Sequence, residues 1–589
     1  MRKMQKAKKN PNIWKYLIQY RKESIASPLL KMAEATFELL VPLVVAKIVD
    51  EGIAYGNKPL IYGCVGLMIL FAILGTVIAI SAQYFAAKAA TGFAANLRSA
   101  LFRKIQTFTY TDIDNLGTGA LLTRMNSDVN AVQSAVNLFL RLFLRSPFIV
   151  GGAIVMSCVV DPKTTLLFLA VVAVLGLIVF VITKSSLPIY KVVQEKLERL
   201  TLTTKESMEG AKVIRAFSRE QQEEERFVKE NSKVYEQSLL AGKRQSFMSP
   251  VTTVVINIGI VLLLYVSGIK VNAGSLTQGE TIALLNYMGQ ILVELVKLAN
   301  LIVLLTKAGP CVKRLNEVIF REVDSADGDI EDVQSYVNHI QDGDTLIELE
   351  NVGFTYDGAS EESLSNISLD IKKGETIGII GGTGSGKTTL LEVIAGYYKA
   401  TGGEIKLAGK NINDFKSKSY RDLISIVPQR AALFSGTVES NLRVADENAT
   451  EERMNYALKC SMSEEFVEQK GGLMASVSAG GKNFSGGQRQ RLTIARALSK
   501  TAPVYILDDS FSALDMATEK NLAEQLKDVP DNPTIIIVSQ RASSLRYADR
   551  ILVLEDGQID SFGTKEELLA TSKVFREIYE TQYEEGGAS

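Results

Sequence analysis

The chain has 589 residues, 47% of them hydrophobic, and its mean hydropathy of +0.11 is high for a soluble protein of this length. Lys and Arg number 65 against 66 Asp and Glu, a net charge of -1, which argues against a nucleic-acid-binding protein that depends on a basic excess. Four widely separated cysteines and one histidine, His339, exclude a readable disulfide framework, a zinc ribbon and a His-rich metal site.

Basic residues near the start of the chain set a predicted orientation. Residues 1–23 hold 8 Lys and Arg against Glu23 alone, and residues 188–249 hold a further 12. Because cytosolic segments of membrane proteins carry an excess of Lys and Arg, both termini and the two long polar loops, residues 91–137 and 188–249, are predicted to be cytosolic. Residues 13–20 mix aromatic and apolar side chains with Lys15 and Gln19, which predicts a short helix in the membrane interface.

Long apolar runs before residue 310 predict six membrane-spanning helices. Each run reaches or exceeds the roughly 20 residues that a helix needs to cross a bilayer. The runs are residues 27–54, 61–90, 138–160, 164–187, 250–271 and 278–308. Three connections are short, whereas residues 91–137 and 188–249 form long, polar, helix-like loops. This alternation argues against helices buried in a soluble core, which is the alternative for any single run.

Polar side chains recur inside the first, third and sixth predicted spans, where they are costly and suggest function. One interpretation is a water-filled substrate cavity. The other is that these helices extend below the bilayer, so that the polar stripe is solvated or ion-paired; this second interpretation is favoured for Lys31, Arg141 and Arg145. The residues assigned to a substrate cavity are Glu34, Glu38, Asn286, Gln290 and Glu294.

From about residue 345 the pattern changes to short β-like runs separated by helical stretches. This pattern predicts an α/β domain with a largely parallel sheet. The predicted strands are residues 346–350, 376–380, 425–427, 504–507, 534–538 and 551–554. The acidic, polar segment 321–344, which contains His339, is interpreted as a solvated linker.

Residues 381–388 match the phosphate-binding pattern GxxxxGK[ST] between a predicted strand and a predicted helix, residues 389–395. Backbone N–H groups of such a loop wrap phosphates, and the helix N-terminus adds positive potential. Lys387 is predicted to pair with the β- and γ-phosphates and Thr388 to ligate Mg²⁺. The predicted phosphate loop comprises Gly381, Gly382, Thr383, Gly384, Ser385, Gly386, Lys387, Thr388 and Thr389.

A second apolar strand, residues 504–507, ends in the carboxylates Asp508 and Asp509, and Asp508 can hold Mg²⁺. Between the two motifs lies Asn483-Phe484-Ser485-Gly486-Gly487-Gln488-Arg489-Gln490-Arg491. This segment resembles the signature motif of ATP-binding cassette (ABC) transporters. The resemblance implies that Ser485, Gly486, Gly487 and Gln488 approach a γ-phosphate.

Other positions extend the resemblance along the cassette. Tyr356 resembles the aromatic residue that stacks on adenine. Gln429 resembles the Q-loop glutamine, which touches Mg²⁺ and senses the membrane domain. Asp515 lies in a segment that resembles the D-loop. ATP and Mg²⁺ are therefore the expected ligands, with Thr388, Gln429 and Asp508 as the metal set.

The resemblance covers the whole chain and implies a half-transporter of the ABC exporter fold. The expected fold is a membrane all-α six-helix domain followed by an α/β P-loop NTPase domain. The expected boundaries are residues 1–320, a linker at 321–344, and the cassette at 345–589. Residues 110–128 and 206–217 resemble the two coupling helices, the second of which docks in the family on the other subunit's cassette.

Three positions depart from the family pattern. Asp509 stands where hydrolysing members have Glu, Gln540 stands where they have a switch His, and Ala479 stands where many have Glu before the signature. The family's Glu polarises the attacking water, and Asp is one methylene shorter. Misplacement by about 1 Å can cost on the order of 10²-fold in rate. This chain's own ATP site is therefore expected to hydrolyse slowly.

ATP sites in this family pair the Walker motifs of one cassette, here the phosphate loop and the strand end at Asp508 and Asp509, with the signature motif of another. Because this chain keeps its signature motif but lacks the hydrolytic Glu and His, we predict a heterodimer. The expected partner is a homologous half-transporter that carries the Glu and the His, and a slow homodimer is the alternative. The predicted function is ATP-driven export of amphipathic small molecules, multidrug or lipid type. The alternatives are a peptide exporter, an exporter-fold importer and an ATP-gated regulator that transports nothing.

The predicted location is the plasma membrane, and the sequence is compatible with a bacterial one. The six predicted spans exclude a soluble P-loop enzyme and a stand-alone ABC protein acting on nucleic acid. Membrane lipid is an expected partner and nucleic acid is not.

Overall fold

The computed structural model describes residues 12–322 and 328–584. The chain divides into two compact units. The first contains residues 1–107 and 118–322, and the second contains residues 108–117 and 323–589. The basic residues before position 12, residues 323–327 of the predicted linker and residues 585–589 lie outside the described residues.

Long helices build the first unit. Those of more than ten residues are Arg21–Lys47, Lys58–Ile105, Val129–Leu142, Arg145–Val160, Pro162–Glu209, Glu220–Ser246, Met248–Asn272 and Gln278–Ile319. The shorter helical elements are Ile13–Tyr16, Ile18–Tyr20, Ile48–Ile53, Thr118–Thr123, Arg124–Asp128 and Ala211–Ala216. Two spans continue without a break into the loops expected after them, so the loops 91–137 and 188–249 begin as extensions of Lys58–Ile105 and Pro162–Glu209.

Within the described residues, 5 helical stretches are long and apolar enough to cross a membrane. They are Lys58–Ile105, Thr118–Val160, Pro162–Glu209, Pro250–Asn272 and Gln278–Ile319. The first predicted span forms the helix Arg21–Lys47, but Lys31, Glu34 and Glu38 interrupt its apolar sequence. The prediction of a membrane all-α domain is confirmed, and its first helix needs neutralised charges to lie in a membrane.

Local sequence signals explain where these helices start. Pro162 stands in the first turn of Pro162–Glu209, and the side chain of Asp161 accepts from the amide of Thr164. Thr277 and Glu280 form a capping box ahead of Gln278–Ile319. Such caps satisfy the free N–H groups of a first helical turn.

The core of the first unit is largely apolar, with some buried polar and charged side chains among the helices. Its large buried side chains include Phe168 and Tyr287, and the Tyr287 hydroxyl donates to the carbonyl oxygen of Leu39 at 2.8 Å. The predicted interfacial helix forms two short 3₁₀ turns. Ile13 is fully buried and Trp14 stacks on Phe93 with ring centroids 5.9 Å apart, so this segment packs on the first unit.

The second unit is an α/β domain with two main sheets. Its strands are β1 (Thr345–Phe354), β2 (Leu364–Lys372), β3 (Thr376–Ile380), β4 (Gly402–Leu407), β5 (Lys410–Asn411), β6 (Ile424–Val427), β7 (Gly436–Thr437), β8 (Ser476–Val477), β9 (Val504–Asp508), β10 (Thr534–Val538), β11 (Arg550–Glu555) and β12 (Gln558–Gly563). The larger sheet has the order β12-β11-β3-β10-β9-β6, and it is parallel except for the β11–β12 hairpin. A second, antiparallel sheet has the order β2-β1-β4-β5.

Helices cover these sheets. They are Tyr110–Leu116, Gln334–His339, Lys387–Ile394, Ser417–Asp422, Val438–Leu442, Glu451–Cys460, Glu464–Glu468, Gly486–Ser499, Met516–Lys527, Lys565–Thr571 and Lys573–Glu584. Residues 328–344, which lie in the predicted linker, pack on this unit because Val333 and Val337 are apolar and enter its core. His339 is exposed. The carboxyl ends of β3, β9 and β10 meet at one edge of the larger sheet, where the candidate site lies.

Candidate nucleotide-binding site

The phosphate loop connects β3 to the helix Lys387–Ile394, which begins two residues earlier than predicted. The loop is closely packed against neighbouring backbone. A Cβ atom on Gly381 would lie 2.1 Å from the carbonyl oxygen of Leu554. One on Gly386, where φ is +94°, would lie 2.9 Å from that of Ser363. Glycine is therefore required at both positions.

Lys387 lies buried at the centre of this loop. Its ammonium group donates to the carbonyl oxygens of Gly381 at 3.0 Å and Gly382 at 2.6 Å, and to Ser385 Oγ at 3.3 Å. Burial lowers the pKa of Lys387, and the nearby carboxylates of Asp508 and Asp509 act in the opposite direction. A buried ammonium held by weak carbonyl acceptors is suited to bind an anionic phosphate.

Thr388 and Asp508 form the part of the site that fits Mg²⁺. The Thr388 hydroxyl donates to both carboxylate oxygens of Asp508, at 3.4 and 3.1 Å. Asp508 is buried, and burial raises its pKa. A hydroxyl, a carboxylate and the nearby amide of Gln429 supply the hard oxygen ligands that Mg²⁺ prefers. These residues fit the ion chemically.

A cavity of about 730 Å³ opens beside this loop. It brings together most of the side chains that the sequence assigned to ATP chemistry. From that set it is lined by Thr383, Gly384, Gly386, Lys387, Thr388, Thr389, Gln429, Asp508, Asp509 and Gln540. Asp509 has a left-handed φ of 44°, and its amide donates to the carbonyl oxygen of Val538 at 3.0 Å. The two departures from the family pattern therefore face one cavity.

Tyr356 lies outside the set of residues that line this cavity. Its hydroxyl is 3.0 Å from Thr389 Oγ1 and donates to Glu392 at 3.3 Å, while its ring packs edge-on against Phe354 and Tyr398. Burial raises the pKa of Tyr356. Stacking of Tyr356 on adenine stays a prediction.

The signature residues lie at a different place on the cassette. Ser485 caps the helix Gly486–Ser499 in a reciprocal box with Gln488. Ser485 and Gly486 are exposed, and none of the four signature residues lines the 730 Å³ cavity. Asp515 caps the helix Met516–Lys527 through Thr518. Within the described residues, the sequence-assigned nucleotide residues thus fall into two separate groups.

Sequence reasoning missed several residues that line the cavity. They are Glu361, Glu362, Ser363, Val538, Asp556 and Gly557. Asp556 and Gly557, at positive φ, form the turn between β11 and β12, and the amide of Gly557 donates to the carbonyl oxygen of Ser385 at 3.2 Å. An Asp-Gly pair between two strand-like runs indicates a hairpin turn, but nothing local places that turn beside the phosphate loop.

The short helix Tyr110–Leu116, at the start of the first expected coupling segment, packs on the cassette in the second unit. Tyr110 stacks on Tyr397 with ring centroids 4.4 Å apart. The Tyr398 hydroxyl donates to Asp114 at 2.6 Å, and Asn115 donates to Asp357 at 2.8 Å. The rest of the segment, residues 118–128, belongs to the first unit, where Asp128 accepts two hydrogen bonds from Arg314.

The second expected coupling segment, residues 206–217, contains the end of Pro162–Glu209 and the helix Ala211–Ala216. Met208, Val213 and Phe217 are 75%, 60% and 73% exposed. An apolar cluster at the end of a polar helical hairpin suits contact with another protein surface.

In the first unit, the side chains assigned to a substrate cavity have partners within the chain. Arg145 donates to Glu294 at 2.6 Å and to both oxygens of Glu38 at 2.8 Å. Ser146 and Lys297 also donate to Glu294, at 2.7 and 2.8 Å. This cluster joins the helices Arg21–Lys47, Arg145–Val160 and Gln278–Ile319.

The remaining assigned residues are bonded nearby. Lys31 donates to Glu34 at 2.5 Å, and Gln290 donates to the carbonyl oxygen of Glu38 at 3.2 Å. Asn286 is exposed and donates to the carbonyl oxygen of Ile282 on its own helix. Glu34, Glu38 and Glu294 therefore lie in ion pairs in the structure. Their role in substrate binding stays a prediction.

Two family models match the chain: ABC transporter transmembrane region at residues 24–295 and ABC transporter at residues 364–512. An uncharacterized ABC transporter ATP-binding protein of Mycobacterium tuberculosis (strain CDC 1551 / Oshkosh) is 34% identical over 567 residues, 96% of each chain. An ATP-dependent lipid A-core flippase of Hahella chejuensis (strain KCTC 2396) is 31% identical over 521 residues, covering 86% of this chain and 85% of the flippase.

A solved structure of a bacterial Atm1-family ABC exporter with ATP bound superposes with a TM-score of 0.79 at 19% identity. The match covers 95% of this chain and 98% of the other. At this identity the likeness establishes the fold alone.

Proposed function

This chain belongs to the ABC transporter family, and from that premise we propose that it is one subunit of an ATP-driven exporter of amphipathic molecules. The observation that carries the proposal is the cavity where Lys387, Thr388 and Asp508 meet Asp509 and Gln540. The first three suit nucleotide binding, whereas the last two replace the hydrolytic Glu and His expected from the family. The chain therefore binds ATP at its own Walker motifs and hydrolyses it slowly there.

In this mechanism the phosphate loop binds the ATP phosphates through its backbone N–H groups and Lys387. Mg²⁺, held by Thr388, Asp508 and Gln429, would neutralise phosphate charge. Asp509 carries a carboxylate too short to position the attacking water, and neutral Gln540 contributes only a weak contact to the γ-phosphate. The signature residues Ser485, Gly486, Gly487 and Gln488, of which the first two are exposed, serve the site of a partner cassette that carries the Glu and the His.

A lipid or other amphipathic substrate is favoured by the relatives named as lipid A-core flippases. It also fits the balanced charge of the buried cluster, in which Arg145 is paired with Glu38 and Glu294. Because these two carboxylates already neutralise the charge of Arg145, this residue would attract a small anionic substrate only weakly. We place the cassette and both termini in the cytosol, with a bacterial plasma membrane as the setting.

The test is the double substitution Asp509→Glu with Gln540→His in the purified assembly. A Glu at residue 509 and a His at residue 540 are expected to raise ATP turnover at this chain's own site, measured with the partner's site inactivated, by roughly tenfold or more, since misplacement near 1 Å can cost on the order of 10²-fold. Each single substitution is the matched control and is expected to give a smaller gain. Turnover that is unchanged in the double variant would show that this site is limited elsewhere and would overturn the slow-site proposal.

A further inference from the structure

The turn that carries Gln540 is held from outside the nucleotide cavity. This turn, residues 539–542, follows β10 and will be called the switch turn. Gln540 and Val538 line the cavity, and the amide of Ser539 donates to the carbonyl oxygen of Ile379 at 3.1 Å, next to the phosphate loop. The position of this turn therefore sets where residue 540 lies relative to the phosphate site.

A single side chain, Gln582, bonds both the entry and the exit of the switch turn. Its Nε2 donates to the carbonyl oxygen of Gln540 at 2.8 Å. Its Oε1 accepts from the amide of Ala542, also at 2.8 Å. One planar side-chain amide thus bonds a backbone acceptor and a backbone donor two residues apart. This pair of bonds restrains the backbone of the switch turn relative to Gln582, much as a neighbouring strand restrains its partner.

Gln582 is anchored well enough to act this way. It lies in the last turn of the C-terminal helix Lys573–Glu584. Phe575 of that helix is 1% exposed and shares a core cluster with Ala542, the last residue of the switch turn, and with Leu545, which follows it. The helix therefore packs on the segment that its glutamine bonds.

A second anchor of the switch turn belongs to a different helix. The buried carboxylate of Glu519 accepts from Ser544 Oγ and, at 3.5 Å, from Arg541 Nη1. Glu519 belongs to the helix Met516–Lys527, which Asp515 caps. The turn is thus held between this helix and the C-terminal helix.

We propose that Gln582 is a positioning residue for ATP turnover, which couples the C-terminal helix to the switch turn of the nucleotide site. Gln582 itself does not line the nucleotide cavity; it acts through the backbone of residues 540 and 542. The inference rests on nucleotide chemistry at this cavity and does not require a particular partner or substrate.

The first readout is amide hydrogen exchange of the switch turn in Gln582→Met, which keeps side-chain length but removes both hydrogen bonds. Exchange at residues 540–542 is expected to quicken roughly five- to tenfold, the effect of losing about one hydrogen bond in a local opening. The control is Thr581→Ala, because among the described residues the Thr581 hydroxyl donates to the carbonyl oxygen of Glu577 in its own helix. Unchanged exchange in Gln582→Met would overturn the proposed restraint.

The second readout is catalytic and uses the Asp509→Glu, Gln540→His background. With the partner's site inactivated, adding Gln582→Met is expected to lower the kcat of this chain's own site about tenfold, while the KM for ATP and the melting temperature of the assembly stay close to those of the background. A fall in stability together with a rise in KM would show a merely structural role. If the background itself shows no gain, the slow-site proposal fails, while the exchange experiment still decides the role of Gln582.

Discussion

Lys387 illustrates how one residue defines the nucleotide site. Its ammonium group lies buried in the phosphate loop and donates to two loop carbonyl oxygens. These neutral acceptors do not balance its charge, and burial lowers its pKa. We propose that a phosphate group supplies the missing negative charge, in a place where water screens it little.

Lys387→Ala is therefore expected to weaken ATP binding roughly 10- to 100-fold, the effect of losing a hydrogen-bonded ion pair. Equilibrium binding or photolabelling with an ATP analogue measures it. Lys520→Ala is the matched control, because Lys520 lies on the same cassette and, within the part of the chain that the structure describes, pairs with Glu524 at 3.9 Å. Undiminished labelling of the Lys387→Ala cassette would remove this residue from the phosphate site.

The residues of the phosphate loop could be predicted from the sequence because strand, loop and helix are consecutive. The same holds for Asp508 and Asp509, which end an apolar strand. Gln582 could not be predicted, since its partners lie about 40 residues earlier in the chain. A glutamine in an amphipathic terminal helix gives no local sign that it bonds a distant turn.

At the scale of elements, buried strands were predicted well and exposed strands were not. β3 and β10 match their predicted bounds because both are continuous apolar runs covered on both faces. β2 and β12 were missed because about half of their side chains are polar and face solvent or the sheet edge. The antiparallel sheet thus had no strong sequence signal beyond β1.

The helix Tyr110–Leu116 is the element whose docking can be tested directly. Tyr398→Phe keeps the ring but removes the hydroxyl that donates to Asp114 at 2.6 Å. Hydrogen bonds to a carboxylate contribute more than neutral ones, so amide exchange across residues 110–116 is expected to quicken roughly tenfold. Hydrogen-exchange mass spectrometry of the full chain measures this.

Tyr547→Phe provides the control for that experiment. It also removes a tyrosine hydroxyl that donates to a carboxylate, Glu524 at 2.9 Å, but on another face of the cassette. Exchange at residues 110–116 is expected to match the unsubstituted chain. Equal exchange in the Tyr398→Phe and Tyr547→Phe variants would show that the Tyr398–Asp114 bond does not hold the helix.

At the scale of the whole chain, the first unit pairs a set of buried and half-buried charges in its helices. Lys31, Arg145 and Lys297 are matched by Glu34, Glu38 and Glu294. Unpaired ions in a membrane-spanning bundle would be strongly unfavourable, whereas paired and hydrogen-bonded ones are tolerated. The sequence located these residues but left their role open, because pairing across three helices depends on tertiary packing.

The distribution of nucleotide residues over the cassette leads to the prediction about assembly. The Walker cavity and the exposed Ser485 helix end are separate. We propose that each is one half of a composite site that needs a second cassette. With Asp509 and Gln540 in its cavity, a homodimer would hold two slow sites. A partner with the Glu and the His would create one fast site against Ser485.

The intact mass of the complex, isolated from native membranes through a tag on this chain, decides between these assemblies. We expect this 64.4 kDa chain together with one different chain of similar size. Removing the partner should then abolish the fast phase of ATP hydrolysis but leave ATP bound at Lys387. A mass of twice this chain alone would place Asp509 and Gln540 in both sites and would favour a slow pump or an ATP-gated regulator.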